Sequence, residues 1–209
     1  MGQLVQATKA ALTGEESTAR DVQRRSLVVD ALRLLAQHES SLPKAYPMAL
    51  LEIFAESPSP SGPHAVDDTG MDFPELTLLD EAEMQDQVEL SRALQLAMHA
   101  TDAALSELNT LVSAARGLRS VQPERNPLRP ENYIRAVQKV VAETGVLLPV
   151  RQLWMQHMRE VLGSLLVEEY RSAADSLRAQ GVEPVGYTVL GTPAGEAGRS
   201  SHNAPQHSA

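Results

Sequence analysis

The chain has 209 residues, of which 43% are hydrophobic but only 3% aromatic, and it contains no cysteine. The missing cysteine excludes disulfides, thiolate metal ligands and cysteine nucleophiles, and it fits a cytoplasmic location. The formal net charge of −9 disfavours nucleic acid as a partner, and the sequence shows neither a signal peptide nor an apolar stretch long enough to cross a membrane.

Leucine, valine and alanine supply most of the apolar side chains, and this composition favours helices over sheets. We therefore predict an all-α fold, an irregular helical bundle with one long central helix. Four segments are expected: an N-terminal helical segment at 1–56, a flexible linker at 57–75, a helical domain at 76–190 and a disordered tail at 191–209. The linker is rich in Pro, Gly, Ser and Asp, and the tail has no large apolar side chain, so neither can build a core.

The N-terminal segment should contain three helices. A short one is predicted over 3–12, and a second runs from the capping pattern at Thr13–Glu16 to about His38. The two prolines of Leu42–Pro47 predict a break, because each disfavours helix in the residue before it, and a further short helix follows over 48–55. The second helix should bury an apolar stripe made of Val22, Ser26, Val29, Leu32, Leu35 and Ala36.

A long amphipathic helix is predicted from Asp80 to about Gly117. Asp80 and Glu83 form a capping box, and no proline or glycine interrupts the pattern that follows. Roughly 36 residues at about 1.5 Å each would span about 54 Å, so the pattern indicates either one central helix of a bundle or two helices with an unmarked kink. Apolar side chains recur along one side at spacings of three and four, and part of this stripe is the predicted interaction face: Val88, Leu94, Met98, Leu105 and Leu108.

Two further helices follow. Pro130 opens the first and Gly145 ends it, while Pro149 opens the last helix and Gly181 ends that one. Their apolar faces are predicted to form much of the core, with Ile134, Val137, Trp154, Met158, Val161 and Leu165 as its members. The alternation of apolar residues over 182–190 predicts a short extended segment.

The polar residues do not form a recognisable reactive site. His99 and Asp102 lie three apart on one helix, but no third metal ligand accompanies them. His157 and Glu160 have the reverse of the order that di-metal helical bundles use. There is also no phosphate-binding loop and no cationic cluster to hold a phosphate, so no catalytic, cofactor-binding or metal-binding residue is predicted.

Several motifs in order resemble a known family. They are the helix start at 76–85, the string Ala-Leu-Ser-Glu-Leu-Asn at 104–109, the turn Asn126-Pro127-Leu128-Arg129-Pro130 and the exit at 177–185. Over about residues 76–190 the chain is similar to the bacterial family known as domain of unknown function 1631. Arg129 stands where that family usually has glycine, a replacement that suits the turn if no positive φ is needed at this position. Family members are usually several times longer, so the resemblance implies one segment, a short relative or a shortened chain.

The apolar stripe, the linker and the lack of convergent polar residues favour a non-enzymatic helical protein-interaction or regulatory module. Its amphipathic helices would bind a protein partner or a second copy of the chain. The alternative is a part of a larger nucleotide-responsive regulator or enzyme whose active portion lies outside this chain. Neither nucleic acid nor a membrane is expected as a partner, and no cofactor is predicted.

Overall fold

The computed structural model describes residues 1–56 and 81–187, and within these ranges the chain is helical without any strand. The elements are α1 (Gly2–Thr18), α2 (Val22–His38), α3 (Ser41–Glu56), α4 (Glu81–Ala115), a 3-10 turn (Pro123–Arg125), α5 (Pro130–Glu143) and α6 (Leu148–Ala179). The predicted all-α class is therefore confirmed. The predicted linker, the capping residue Asp80 and the predicted tail lie outside the described residues.

The two longest helices, α4 with 35 residues and α6 with 32, form the central pair of the fold. They approach closely at Gly163 of α6, where an added Cβ atom would lie only 2.8 Å from the Cβ of Ala100. A glycine in a helix interior normally costs about 1 kcal/mol relative to alanine. Here the missing side chain is what allows the two backbones to approach.

The helices at both ends of the chain share one hydrophobic core. α1 packs against α2 and α6, α2 also contacts α6, and α3 packs against α5. Leu12 of α1 and Leu35 of α2 are fully buried in the same cluster as Leu108 of α4 and Ile134 of α5. Burial of such aliphatic side chains, at about 1.5–3 kcal/mol each, is the main source of stability. None of the described helices combines the length and the apolarity that a membrane span requires.

The junction of α1 and α2 lies later than predicted. α1 continues through Gly14, and α2 begins after Asp21, whose carboxylate accepts a hydrogen bond from the backbone N–H of Gln23 at 2.9 Å. The hydroxyl of Thr13 instead donates to the carbonyl of Lys9, one turn earlier in α1. The predicted cap at 13–16 is therefore wrong, because a single interior glycine costs too little to end a helix that packs well.

The apolar stripe predicted for α2 also differs from the buried one. Leu35 of the predicted stripe is fully buried together with Val28 and Ala31, whereas Val22 and Val29 are 80% and 43% exposed. Valines at both 28 and 29 make two apolar rows possible on this helix. Packing against α1 and α6 buries the row that contains Val28, which the sequence pattern alone did not distinguish.

α3 is continuous, so the predicted break at 42–47 and the separate helix at 48–55 are wrong. Pro43 lies in the first turn, where a helix needs no N–H from it. Pro47 lies inside the helix, at a cost of about 3 kcal/mol or more. Beyond it, Ala49 and Ile53 are buried against Ala136 of α5, and we attribute the survival of the helix to this packing.

The predicted ends of the last two helices are confirmed. α5 begins at Pro130, and α6 has Pro149 in its first turn. Gly145 and Gly181 follow the two helices with φ angles of 70° and 80°, a conformation that favours glycine. Residues 182–187 are not helical, and the N–H of Val185 donates to the carbonyl of Thr110 on α4.

Candidate functional site around the turn at 126–130

The turn at 126–130 is one of the motifs that resemble the family, and we name it the motif turn. It is fixed by the buried side chain of Asn126. The Nδ2 group of Asn126 donates to Oδ1 of Asn109 on α4 at 2.7 Å, and its own Oδ1 accepts from the backbone N–H of Leu128 at 2.9 Å. Asn126 and Asn109 are only 2% and 6% exposed. Buried amides nearly always have such partners, so this pair fixes the path of the turn relative to α4.

The turn is also tied to α5 and α6. Asn132 of α5 donates from Nδ2 to the carbonyl of Pro127 at 2.8 Å, and Tyr170 of α6 donates from its hydroxyl to the carbonyl of Leu128 at 2.7 Å. Burial raises the pKa of the Tyr170 phenol, and the nearby Tyr133 adds to the effect. The hydroxyl therefore keeps its proton and remains a donor to the turn.

An open groove of about 430 Å³ lies between α4 and the N-terminal end of α5. We name it the α4–α5 groove. Its apolar lining comes from both helices, the 3-10 turn and the C-terminal segment: Leu94, Met98, Leu105, Pro123, Pro130 and Tyr187. Three acidic residues, Asp102, Glu124 and Glu131, also line it, against one basic residue, Arg129. The groove therefore has a mainly apolar lining with more acidic than basic side chains.

A second cavity of about 620 Å³ is lined by residues of α3, the end of α4, the motif turn and α6. Three arginines line it, Arg116, Arg125 and Arg129, and we name it the arginine cavity. Arg116 donates from its guanidinium to the backbone carbonyl of Arg125. The Nε of Arg129 is buried without a hydrogen-bond partner among the described residues. Within those residues none of the three arginines pairs with a carboxylate.

A third polar cluster joins α1, α2 and α6. Nε2 of His157 lies 2.8 Å from Oε2 of Glu15, and Nε of Arg24 donates to Oε1 of the same carboxylate at 2.5 Å. Burial of Glu15 disfavours its charged form, but the hydrogen bonds from Arg24 and His157 outweigh burial and lower its pKa. The sequence analysis considered His157 together with Glu160 of the same helix. The acidic partner of His157 in the structure is instead Glu15 of α1.

The five residues of the predicted interaction face do not share one environment. Val88 and Met98 are 47% and 43% exposed, and Leu94 is half-buried. Leu105 and Leu108 are 7% and 0% exposed and belong to the core. Only Val88, Leu94 and Met98, with the edge of Leu105 that lines the α4–α5 groove, are accessible at the surface of the bundle.

The residues predicted for the core are all packed in it or against it. Four are at most 1% exposed, namely Ile134, Val137, Trp154 and Met158. Val161 and Leu165 are half-buried against the same cluster. Nε1 of Trp154 donates to the carbonyl of Ala31 on α2 at 3.1 Å, so the indole packs inside the bundle with its polar atom satisfied.

The two members of the His99 and Asp102 pair are exposed and line different surfaces. Asp102 lines the α4–α5 groove, whereas His99 lies beside Gly163 in a separate shallow pocket. Across residues 1–56 and 81–187, no three histidine, aspartate or glutamate side chains come together as metal ligands would.

The sequence analysis missed the arginine cavity. Residues 116–129 contain four arginines, Arg116, Arg119, Arg125 and Arg129, and a single acid, Glu124, in a chain whose net charge is −9. This local reversal of charge was the available signal. No cationic cluster that could hold a phosphate was expected from the sequence, but packing of the turn brings three of these arginines to one cavity.

The described residues define an all-α bundle whose motif turn lies between an acidic apolar groove and an arginine-lined cavity. A family model described as "Protein of unknown function (DUF1631) N-terminal domain" matches residues 1–181. The chain therefore belongs to this family, and the resemblance seen in the sequence is confirmed. The match also includes α1, α2 and α3, which precede the region of that resemblance. Comparisons with curated proteins and with solved structures found no match.

Proposed function

We propose that the chain is a non-enzymatic helical protein-interaction module and that the α4–α5 groove is its docking surface. The observation that carries the proposal is the apolar lining of this groove. Met98 is 43% exposed there, and Leu94, Pro123, Pro130 and Tyr187 extend the apolar surface around it. Grooves of this kind accept the apolar face of an amphipathic helix from another protein.

The charges of the groove favour a basic partner helix. Asp102, Glu124 and Glu131 line the groove together with a single cation, Arg129. A helix with Lys or Arg beside its apolar positions would match this pattern, and the net charge of −9 would speed its association at low salt. The cysteine-free composition favours the cytoplasm as the place of this interaction, and the family resemblance indicates a bacterial cell.

Site-specific photo-cross-linking in the cells of origin tests the proposal. A photo-reactive amino acid replaces Met98 in the groove or, as a matched control, Met48 on α3, which is also exposed, at 61%. We expect discrete covalent adducts from position 98 that do not form from position 48. An adduct at about twice the 22.6 kDa mass of the chain would identify a second copy as the occupant. The same adducts from both positions, or none from 98, would reject the groove as a docking surface.

The alternative is a part of a nucleotide-responsive regulator or enzyme. It is tested separately, by thermal unfolding of the full chain in the presence of nucleotides with and without magnesium. Stabilisation by several degrees that saturates with nucleotide concentration would favour this alternative, since a ligand stabilises the state that binds it.

A further inference from the structure

We infer that the arginine cavity binds a small dianion, a phosphate monoester or a dicarboxylate, that carries an apolar body. This site is separate from the proposed docking surface, although Arg129 lines both. Nothing in the family match assigns a ligand to either position.

The charge of the cavity is the first argument. Arg116, Arg125 and Arg129 face one carboxylate residue in the lining, Glu124, so the formal local charge is +2. The chain has 27 acidic residues for 18 basic ones, and carboxylates are therefore plentiful. Other arginines form ion pairs with carboxylates: Arg24 pairs with Glu15, and Arg92 and Arg159 both pair with Glu89. Three arginines that line one cavity without such a partner among the residues that the structure describes repel each other unless an anion joins them.

The second argument is the buried donor of Arg129. Its Nε–H has no acceptor among the described residues, and a buried donor without a partner costs about 1–3 kcal/mol. A phosphate or carboxylate oxygen would supply that acceptor, and a guanidinium can bind such a group through two parallel hydrogen bonds. The backbone next to Arg129 is fixed by the hydrogen bonds of Asn126 and Tyr170, so the side chain starts from a rigid position.

The third argument is size and apolarity. The cavity measures about 620 Å³, within the range of about 300–1,000 Å³ that is typical of small-molecule sites. Phe54, Val112, Leu128 and Leu177 provide an apolar lining next to the arginines. An inorganic phosphate ion alone would leave most of this lining in contact with water. The ligand that fits both parts therefore has an anionic end and an aromatic or aliphatic body.

Isothermal titration calorimetry on the full chain tests the inference with four probes: phenyl phosphate, phthalate, inorganic phosphate and phenol. We expect at least one of the two aromatic dianions to bind about tenfold or more tightly than inorganic phosphate, and phenol to bind no more tightly than inorganic phosphate. A preference for phenyl phosphate would identify phosphate esters as the natural class, and a preference for phthalate would identify dicarboxylates.

Substitutions locate the binding. Arg116→Gln and Arg125→Gln should each weaken the preferred dianion about tenfold or more, whereas Arg171→Gln, at an exposed residue of α6 outside this cavity, should leave its affinity unchanged. Arg116 is exposed, but its guanidinium also donates to the backbone carbonyl of Arg125, so Arg116→Gln removes one contact of the 3-10 turn as well as one cationic group of the cavity. The melting temperature of each variant without ligand checks its fold. Absence of binding by both dianions, or equal weakening by Arg171→Gln, would overturn the inference.

Discussion

Asn126 donates a hydrogen bond of 2.7 Å to Asn109, and this contact joins the motif turn to the C-terminal part of α4 across 17 residues of chain. Both side chains are buried. Asn109→Ala should lower the free energy of unfolding by about 1–3 kcal/mol, because the amide of Asn126 loses its acceptor. Asn126→Ala should cost more, since it also removes the acceptor of the Leu128 N–H.

Urea unfolding of the two single variants and the double variant measures the coupling. The loss of unfolding free energy in the double variant should be smaller than the sum of the two single losses by about 0.5–3 kcal/mol, because either substitution alone already breaks the shared hydrogen bond. Strictly additive costs would contradict a direct contact between these amides.

Gly163→Ala should destabilise the fold by about 1–3 kcal/mol, although alanine is the better helix former. The reason is the close helix crossing, where the new Cβ would meet the Cβ of Ala100 at 2.8 Å. Gly14→Ala in α1 is the matched control, because no atom lies within 4 Å of its added Cβ. That variant should gain about 0.4–1 kcal/mol. Thermal or urea unfolding compares the two.

Adding Ala100→Gly to Gly163→Ala should recover part of the lost stability, because it removes the other half of the steric clash. If Gly163→Ala instead stabilised the chain as much as Gly14→Ala does, the close approach of α4 and α6 at this point would be refuted.

The ion pair of Glu15 with Arg24 and its hydrogen bond to His157 predict a loss of stability in acid. Despite its burial, the carboxylate has a pKa lowered from 4.5 by its hydrogen bonds to Arg24 and His157. A lowered folded pKa contributes stability that is fully present above the unfolded value, and the contribution is lost as the pH falls through the folded value. Glu15→Gln should therefore be less stable than the wild type at pH 7, and this difference should shrink below about pH 4.5.

Urea midpoints between neutral and acidic pH measure that difference, with Glu16→Gln as the control. Glu16 is the adjacent carboxylate of α1, and the hydrogen bonds to Arg24 and His157 belong to Glu15. If the stability difference between the wild type and Glu15→Gln stayed constant with pH, the charge of the Glu15 carboxylate would not be the source of the stabilisation.

Tyr170→Phe should cost about 0.5–1.5 kcal/mol, because the buried carbonyl of Leu128 loses its donor while the ring remains. The control is Tyr187→Phe, whose side chain is 57% exposed and whose hydroxyl lies 3.0 Å from Ser106. Its replacement should change stability by less than about 0.5 kcal/mol, as surface substitutions usually do. Equal costs for the two variants would argue against the contact of Tyr170 with the turn.

The aromatic cluster of Tyr46, Tyr133 and Tyr170 predicts a late alkaline titration. Burial raises the pKa of all three phenols above 10.0, and that of Tyr133 reaches about 12 with a further contribution from Glu169. A raised phenol pKa stabilises the fold below the unfolded value, and this contribution is lost as the pH rises through the folded value. Phenolate absorbance should therefore rise in the folded chain at higher pH than in urea, and coincident curves would contradict the burial.

The later helices are largely predictable because each boundary has a local chemical cause. Pro130 and Pro149 mark helix starts, and Gly145 and Gly181 mark the ends. The errors fall where packing overrides a local signal. Pro47 remains inside α3 because the residues after it bury against α5, and α2 buries the row of Val28 because it packs against α1 and α6.

Of the two surfaces beside the motif turn, the α4–α5 groove is partly predictable from a local sequence pattern and the arginine cavity is not. The apolar residues of the α4–α5 groove that lie on α4, namely Leu94, Met98 and Leu105, are visible in the sequence as part of one stripe. The arginine cavity combines side chains from α3, α4, the turn and α6. Phe54 and Leu177 are more than a hundred residues apart, so no local pattern connects them.

The single tryptophan gives the chain a built-in optical reporter. Trp154 is fully buried, hydrogen-bonded to Ala31 and in edge contact with the ring of His38 at 6.2 Å. All indole fluorescence therefore comes from the interface between α2 and α6. A red shift of that emission during unfolding would time the separation of these two helices, even while circular dichroism still records helical backbone elsewhere in the bundle.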